Sequence, residues 1–292
     1  MAKAAAQIGV SQPTVSEAIS DLEHLFAVRL FDRSTRGVEL TVYGRALFKR
    51  SVAAFDELKQ SGRDIEYLAD PTVGELRIGC QESVAPAVLL PAIKQFSAKF
   101  PKVVIHVDDV PTAEHQLSEL RARNYDLMLG RISQSLANEE DIKVEILFHD
   151  YLVVAANAES RWANRERINL TELVDQNWVL TPPGTWNYTR LAEAFQARGL
   201  GMPKSRLITL SALLRTHLLS DGQYITAFAN SMLSINANRY GLKALPVDLG
   251  DPPWPVVIIT LKNRTLSSPA ERFIDCVRNH ARSIAARSAK HQ

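Results

Sequence analysis

Cysteine is nearly absent: Cys80 and Cys276 are the only two in 292 residues, and they stand far apart in the chain. A disulfide-stapled fold is thereby excluded, and a reducing cytoplasm is the natural setting. Glycine and proline are sparse, at 13 and 14 residues, which excludes collagen-like and low-complexity chains. No apolar run approaches the ~20 residues that a membrane span needs. Val84 to Ile93 and Val256 to Leu261 are short, and the first holds Pro86 and Pro91. Met1 to Val10 lacks a basic start followed by an apolar stretch, so it does not read as a secretory signal. A dominant charge is missing too, with 34 Lys and Arg against 32 Asp and Glu. Residues 1–70 carry nine basic and ten acidic side chains, and residues 71–292 carry 25 and 22. Any nucleic-acid contact near the N-terminus therefore rests on a few placed groups. Only Arg278 to Gln292 is basic without acids, and it reads as a solvated tail.

Enzyme signatures are also lacking. Gly199 and Gly201 form an isolated turn, not a phosphate-binding loop. His106 and Asp108 share a strand face, but two groups do not make a zinc site, and His149-Asp150 has no further ligands. No catalytic residue, metal or cofactor is expected, and the two cysteines read as buried, reduced thiols of one lobe.

What is present is an apolar fraction of 46%, ample for two or three compact units. Ser11-Gln12-Pro13-Thr14 is a helix start, with Ser11 as cap and Pro13 in the first turn, where a missing N–H costs nothing. Val15, Ala18, Ile19, Leu22 and Phe26 follow as one apolar stripe. A short helix, Ala4 to Ile8, precedes it through a Gly9 turn. Two short helices about a tight turn make a helix-turn-helix arrangement. Ser11, Gln12, Pro13, Thr14, Ser16, Glu17 and Ser20 would then face double-stranded DNA. Taken alone, the segment equally fits a helical hairpin with a solvated face. The next residues favour the first reading. Val28 to Asp32 and Val38 to Leu40 read as a hairpin about Ser34 to Gly37, a wing that places Arg33 and Arg36 near phosphates.

Thr41 can cap a helix reaching Leu68. Leu47, Ser51, Ala54, Leu58, Ser61, Ile65 and Leu68 recur along it at alternating spacings of four and three. Such a seam on a long helix buries itself against a partner, so Leu47, Ala54, Leu58 and Ile65 are expected to join two copies of the chain. Pro71 and Gly74 then break the helix. Beyond them strands alternate with helices in two rounds, predicting βαβ units around parallel sheets in two lobes. The predicted strands are Leu76 to Cys80, Val103 to Val107, Asp126 to Ile132, Tyr151 to Ala156, Trp178 to Thr181, Leu207 to Leu210 and Tyr224 to Phe228. A late strand at Val256 to Leu261 and a helix at Ala270 to Ala285 would return to the first lobe.

The run Ala4-Ala5, Val10 to Ser16, Leu22-Glu23, Val28 to Arg33, Gly37, Leu40-Thr41 and Gly44 resembles the LysR-type transcriptional regulators. Leu90-Pro91, Phe96 to Pro101, Asp126 to Gly130 and Leu266 to Ala270 extend the resemblance over essentially the whole chain. It implies a bacterial cytoplasmic regulator with a winged helix-turn-helix, a dimerising linker helix and a two-lobed effector domain of the type II periplasmic-binding-protein kind, usually assembled as a tetramer. The expected division is residues 1–41 for DNA binding, 42–70 for the linker and 71–292 for the effector domain. Its first lobe would span about 74–147 and 254–285, and its second about 148–253. Two departures stand out. Family members begin about one helix earlier, on the order of 15–20 residues, so Val15, Ile19 and Leu22 are expected to lack part of their cover. Glu17 and Asp21 occupy positions where many members carry basic residues.

Ligands of open α/β lobes sit at the carboxyl ends of the strands. Glu82 and Ser83, Thr112 and Arg131 arrive there from the first lobe, and Thr185, Trp186 and Phe228 from the second. Arg131 could pair with a carboxylate, and Ser83 and Thr185 at helix starts favour an anion, so the expected effector is a small organic acid. Four of these residues also have a plainer reading: Ser83 and Thr185 as caps, Arg131 as a structural ion-pair partner, Trp186 as packing. A stand-alone small-molecule binding protein without specific DNA recognition is the competing functional class.

Overall fold

The computed structural model describes residues 2–34, 37–70, 72–250 and 252–288. The chain divides into two compact units, residues 1–61 and 62–292.

In the first unit α1 (Ala2–Ile8) meets α2 (Gln12–Phe26) through Gly9, whose φ of +71° is the left-handed turn that glycine adopts without strain. Ser11 caps α2 by accepting from the Thr14 N–H at 3.3 Å. The helix ends on Ala27 in the left-handed conformation, and the Ala27 and Val28 N–H groups return to its last carbonyls. A hairpin of β1 (Phe31–Ser34) and β2 (Gly37–Leu40) follows, with Phe31 opposite Leu40. The first strand starts three residues later than predicted. Val28 still closes α2, and the Glu23 carboxylate accepts from the N–H groups of Leu30 at 2.7 Å and Phe31 at 3.1 Å. Thr41 then caps the 28-residue α3 (Val42–Ala69), accepting from the Gly44 N–H at 3.0 Å. Gly44 lies so close to Leu30 that a Cβ there would stand 2.0 Å from the Leu30 carbonyl oxygen.

The second unit holds two lobes. The order is β3 (Val73–Cys80), a π-helical turn Ala85–Leu89 running into α4 (Leu90–Lys99), β4 (Lys102–Asp109), α5 (Ala113–Arg121), β5 (Leu127–Arg131), α6 (Gln134–Ala137), β6 (Ile142–Asp150) and β7 (Leu152–Asn157). It continues through β8 (Trp178–Leu180), α7 (Trp186–Gln196), β9 (Leu207–Ile208), α8 (Ala212–Ser220), β10 (Ile225–Ala229), α9 (Asn230–Tyr240), β11 (Leu242–Ala244), β12 (Trp254–Leu261) and α10 (Ser268–Ser288). One sheet has the order β4-β3-β5-β12-β6 and the other β11-β7-β10-β8-β9.

The sheets are mixed, which corrects the expectation of parallel ones. β12 runs antiparallel between β5 and β6, and β7 is antiparallel to both β10 and β11. Both faces of the first sheet are covered. Val256 and Ile258 pack with Phe96 and Phe273 of α4 and α10, while Val257 and Ile259 pack with Leu117 and Leu120 of α5. Burial on both faces is why Val256 to Ile259 of β12 is an unbroken apolar run. Cys80 and Cys276 are free thiols buried in the first of these layers.

Four elements were not anticipated, the four-residue α6 among them. β6 carries a bulge: Val256 pairs with Phe148 and Val257 with Ile146, so Leu147 is an extra residue that spoils the period-two pattern. The Ser- and Asn-rich composition of α9 hides a helix whose buried residues are confined to Ser231, Met232 and Leu233. β11 is three residues long.

Candidate functional site

The cleft between the lobes is built from strand ends. Gln81, Glu82 and Ser83 follow β3, and Asp109 closes β4. From the second lobe come Thr181 after β8, Thr185 and Trp186 at the start of α7, and Arg215 on α8. These residues wall a cavity with about 440 Å³ of void including its open mouth, completed by Asn187, Pro111 and Leu210. Of the residues expected here from the sequence, Glu82, Ser83, Thr185 and Trp186 line the cavity, whereas Thr112, Arg131 and Phe228 do not.

Arg131 corrects the reading of a free cation. Its side chain is 1% exposed; one guanidinium nitrogen donates to Asp150 Oδ2 at 2.6 Å and the other to Ser83 Oγ at 2.9 Å. Its guanidinium carbon also lies 4.3 Å from the Trp186 ring centroid. Asp150, the last residue of β6, accepts in addition from the Tyr151 N–H, the Ser231 N–H and the Ser231 hydroxyl. The pair thus joins the first lobe, the crossover at β6–β7 and the start of α9. Gln81 steadies the same strand end, accepting from the Arg131 N–H at 3.0 Å and donating to its carbonyl at 3.3 Å. Thr112 caps α5, accepting from the His115 N–H at 3.3 Å, and does not line the cavity. Phe228 is buried and lies beneath Arg215, whose guanidinium carbon is 4.7 Å from its ring centroid.

Arg215 is the cation that the sequence reading missed. It is 3% exposed, and among the described residues its guanidinium makes one hydrogen bond, to the Ala227 carbonyl at 3.0 Å. Its Nε has no acceptor among the described residues, nor does Trp186 Nε1. Burial lowers its pKa to about 10, with the Glu82 charge opposing the fall. Glu82 itself reaches from the first lobe to the N-terminus of α8, both its oxygens lying near the Ala212 N–H at 3.1 and 2.9 Å. Asp109 Oδ1 accepts from the Glu82 N–H at 3.0 Å. Thr185 both caps α7, accepting from the Tyr188 N–H at 3.4 Å, and lines the cavity. A signal for Arg215 was present, since it stands alone as a permanent charge within Ala-Leu-Leu-Arg-Thr-His-Leu-Leu. Among the described residues, no group of three His, Cys, Asp or Glu side chains could hold a metal.

In the first unit Ser11, Gln12, Pro13, Thr14, Glu17 and Ser20 are exposed at the start of α2, and Ser16 is half-buried. The Arg33 side chain and all of Arg36 lie outside the described residues. No residue of α2 is fully buried, and Leu22 and Phe26 are 40% and 49% exposed.

Residues 69–282 match the LysR substrate binding domain, and residues 1–45 match the bacterial regulatory helix-turn-helix protein, lysR family. The chain belongs to the LysR family. It is a LysR-type transcriptional regulator, with a DNA-binding helix-turn-helix and a ligand-binding domain. Regulators of this family bind DNA and small-molecule effectors and oligomerise. This regulator is 24% identical over 276 residues to the HTH-type transcriptional regulator GbpR of Azospirillum brasilense, a match covering 94% of this chain and 80% of that one. A full-length OxyR variant from Pseudomonas aeruginosa shares the fold with a TM-score of 0.63 at 22% identity, over 96% of this chain and 88% of that one. The Synechocystis PCC6803 CcmR regulatory domain in complex with 2-PG gives a TM-score of 0.61 at 18% identity, over 72% of this chain and 98% of that one.

Proposed function

We propose that this LysR-type regulator controls transcription in response to a small organic acid, held in the interlobe cleft with its carboxylate on Arg215. The observation that carries this reading is a buried guanidinium on the cavity wall, with an unused Nε and no carboxylate within ion-pair distance among the described residues. A cation so placed attracts an anion, because desolvation penalises its charge until a partner arrives. On the same cavity wall Ser83, whose oxygen accepts from Arg131, keeps its hydroxyl proton, and Trp186 keeps its indole N–H. In this reading Gln12, Thr14, Ser16, Glu17 and Ser20 meet base edges, while Ser11 and Pro13 set the helix start and Arg33 and Arg36 meet phosphates. Leu47, Ala54, Leu58 and Ile65 join the linker helices of a dimer, two dimers forming the tetramer. Residues 1–41, 42–70 and 71–292 are the corresponding functional segments. The cytoplasm is where operator DNA and metabolite meet, and the site does recognition rather than catalysis.

The test is calorimetric titration of the full chain with a panel of small carboxylic acids, amino acids among them, wild type against Arg215→Met. Loss of one charge-assisted contact of about 1.5–3 kcal/mol should weaken the binding acid roughly 10- to 100-fold. Equal affinities in the two proteins, or no acid bound by the wild type, would sink the reading.

A further inference from the structure

The cavity walls do not suit a plain acid. Against the one cation, Arg215, stand two carboxylates, Glu82 and Asp109, and neither has a basic side chain within ion-pair distance among the described residues. The charges are also sorted by lobe. The carboxylates come from the ends of β3 and β4 in the first lobe, and Arg215 with Trp186 Nε1 from the second. A ligand carrying only a carboxylate would engage the second lobe and add a third negative charge beside the first, where like charges repel strongly in a half-dry site. A ligand carrying both charges would meet each wall with its opposite. Both acids keep acceptor capacity for it. Glu82 gives its two oxygens to a single N–H, that of Ala212, and Asp109 uses Oδ1 alone, on the Glu82 N–H. Each carboxylate oxygen has lone pairs to spare beyond those contacts. The remaining wall is uncharged, apolar at Pro111, the Trp186 ring and Leu210 and polar at Gln81, Ser83, Thr181, Thr185 and Asn187, and offers no charge for an ionised side chain.

We infer that the effector is an α-amino acid with an uncharged side chain, its carboxylate on Arg215 and its ammonium on the Glu82 and Asp109 side. The inference rests on the acid-binding reading of Arg215 and adds the second half of the ligand. It also assigns a purpose to the split of charge: only a zwitterion holds both walls at once, so its binding draws the lobes together across the cleft.

The experiment is calorimetry on the full chain with the uncharged-side-chain amino acids at up to about 10 mM. Each is compared with the carboxylic acid that lacks its amino group and the amine that lacks its carboxylate. At least one amino acid should bind, and removal of either group should weaken it about 10-fold or more. Glu82→Gln and Asp109→Asn keep the oxygens that accept from the Ala212 and Glu82 N–H groups while removing charge. In the double variant the preference for the amino acid over its deaminated acid should shrink about 10-fold, with binding still dependent on Arg215. Deaminated acids that bind as tightly as the amino acids, in an Arg215-dependent manner, would overturn the zwitterion and leave the acid site standing. Amines that bind as tightly, or the absence of binding by any amino acid, would overturn it as well. Amino-acid binding indifferent to Arg215→Met would instead remove the acid-binding reading beneath it.

Discussion

Changing Asp150 to asparagine removes one negative charge from a place that water does not reach. Asp150 and Arg131 have side chains 2% and 1% exposed, so the variant strands a buried guanidinium beside a neutral amide. Asparagine still offers one oxygen to the Ser231 or Tyr151 N–H, so the dominant loss is the charge partner. Breaking a buried pair in this way costs about 3–5 kcal/mol. In a unit of this size each kcal/mol lowers Tm by about 2–4 °C, giving a fall of roughly 6–20 °C. Arg131→Met alone should cost a comparable amount, because it leaves the carboxylate unpaired, although the Ser231 and Tyr151 donors soften that loss. Arg131→Met with Asp150→Asn removes both charges and should be more stable than the sum of the singles by at least about 2 kcal/mol. Thermal and urea unfolding of the four proteins close the cycle. A fall below about 3 °C for Asp150→Asn, or strict additivity in the double variant, would show that the pair does not hold the crossover as argued.

Gly44→Ala should destabilise the first unit by about 1–3 kcal/mol, since the added methyl must push α3 away from the Leu30 carbonyl; hydrogen exchange of the α2 amides checks it, and unchanged protection speaks against it. Leu58, 68% exposed on α3, should be needed for self-association. Sedimentation of Leu58→Asp is expected to show a smaller species with unchanged helix content, and an unaltered mass would exclude the seam. The Thr72 hydroxyl, the Lys102 ammonium and the Thr72 N–H hold the Asp70 carboxylate down to about 2. A depressed folded-state pKa contributes stability that is present above the unfolded value of about 4 and is lost as pH falls toward about 2. Thr72→Val should raise the Asp70 pKa in a carboxyl NMR titration, and an unmoved value would assign the shift elsewhere.

Local features were read well because local chemistry sets them. Ser11 and Thr41 cap α2 and α3 through bonds to N–H groups three residues on, a relation visible in any sequence. The return of Val256 to Leu261 to the first sheet was also legible, since a run as apolar as Val256 to Ile259 is buried on both faces. The start of β1 was misplaced because Glu23 reaches forward to Leu30 and Phe31, a bond that pattern does not register. β6 was missed because its bulge at Leu147 interrupts alternation.

The two arginines mark the boundary between what each level decides. Residue type and position along strand and helix were enough to bring Glu82, Ser83, Thr185 and Trp186 to the cleft, because strand ends in an α/β lobe share one edge. The sequence by itself also carried the helix-turn-helix and the two-lobed plan in its periodicity and caps, and the family in the motifs that resemble it. Which guanidinium remains available was decided only in three dimensions. Asp150 arrives beside Arg131 from 19 residues along the chain, and no carboxylate comes within pairing distance of Arg215 among the described residues. Charge pairing depends on distances of a few ångström between distant segments, and only the packed fold sets those distances.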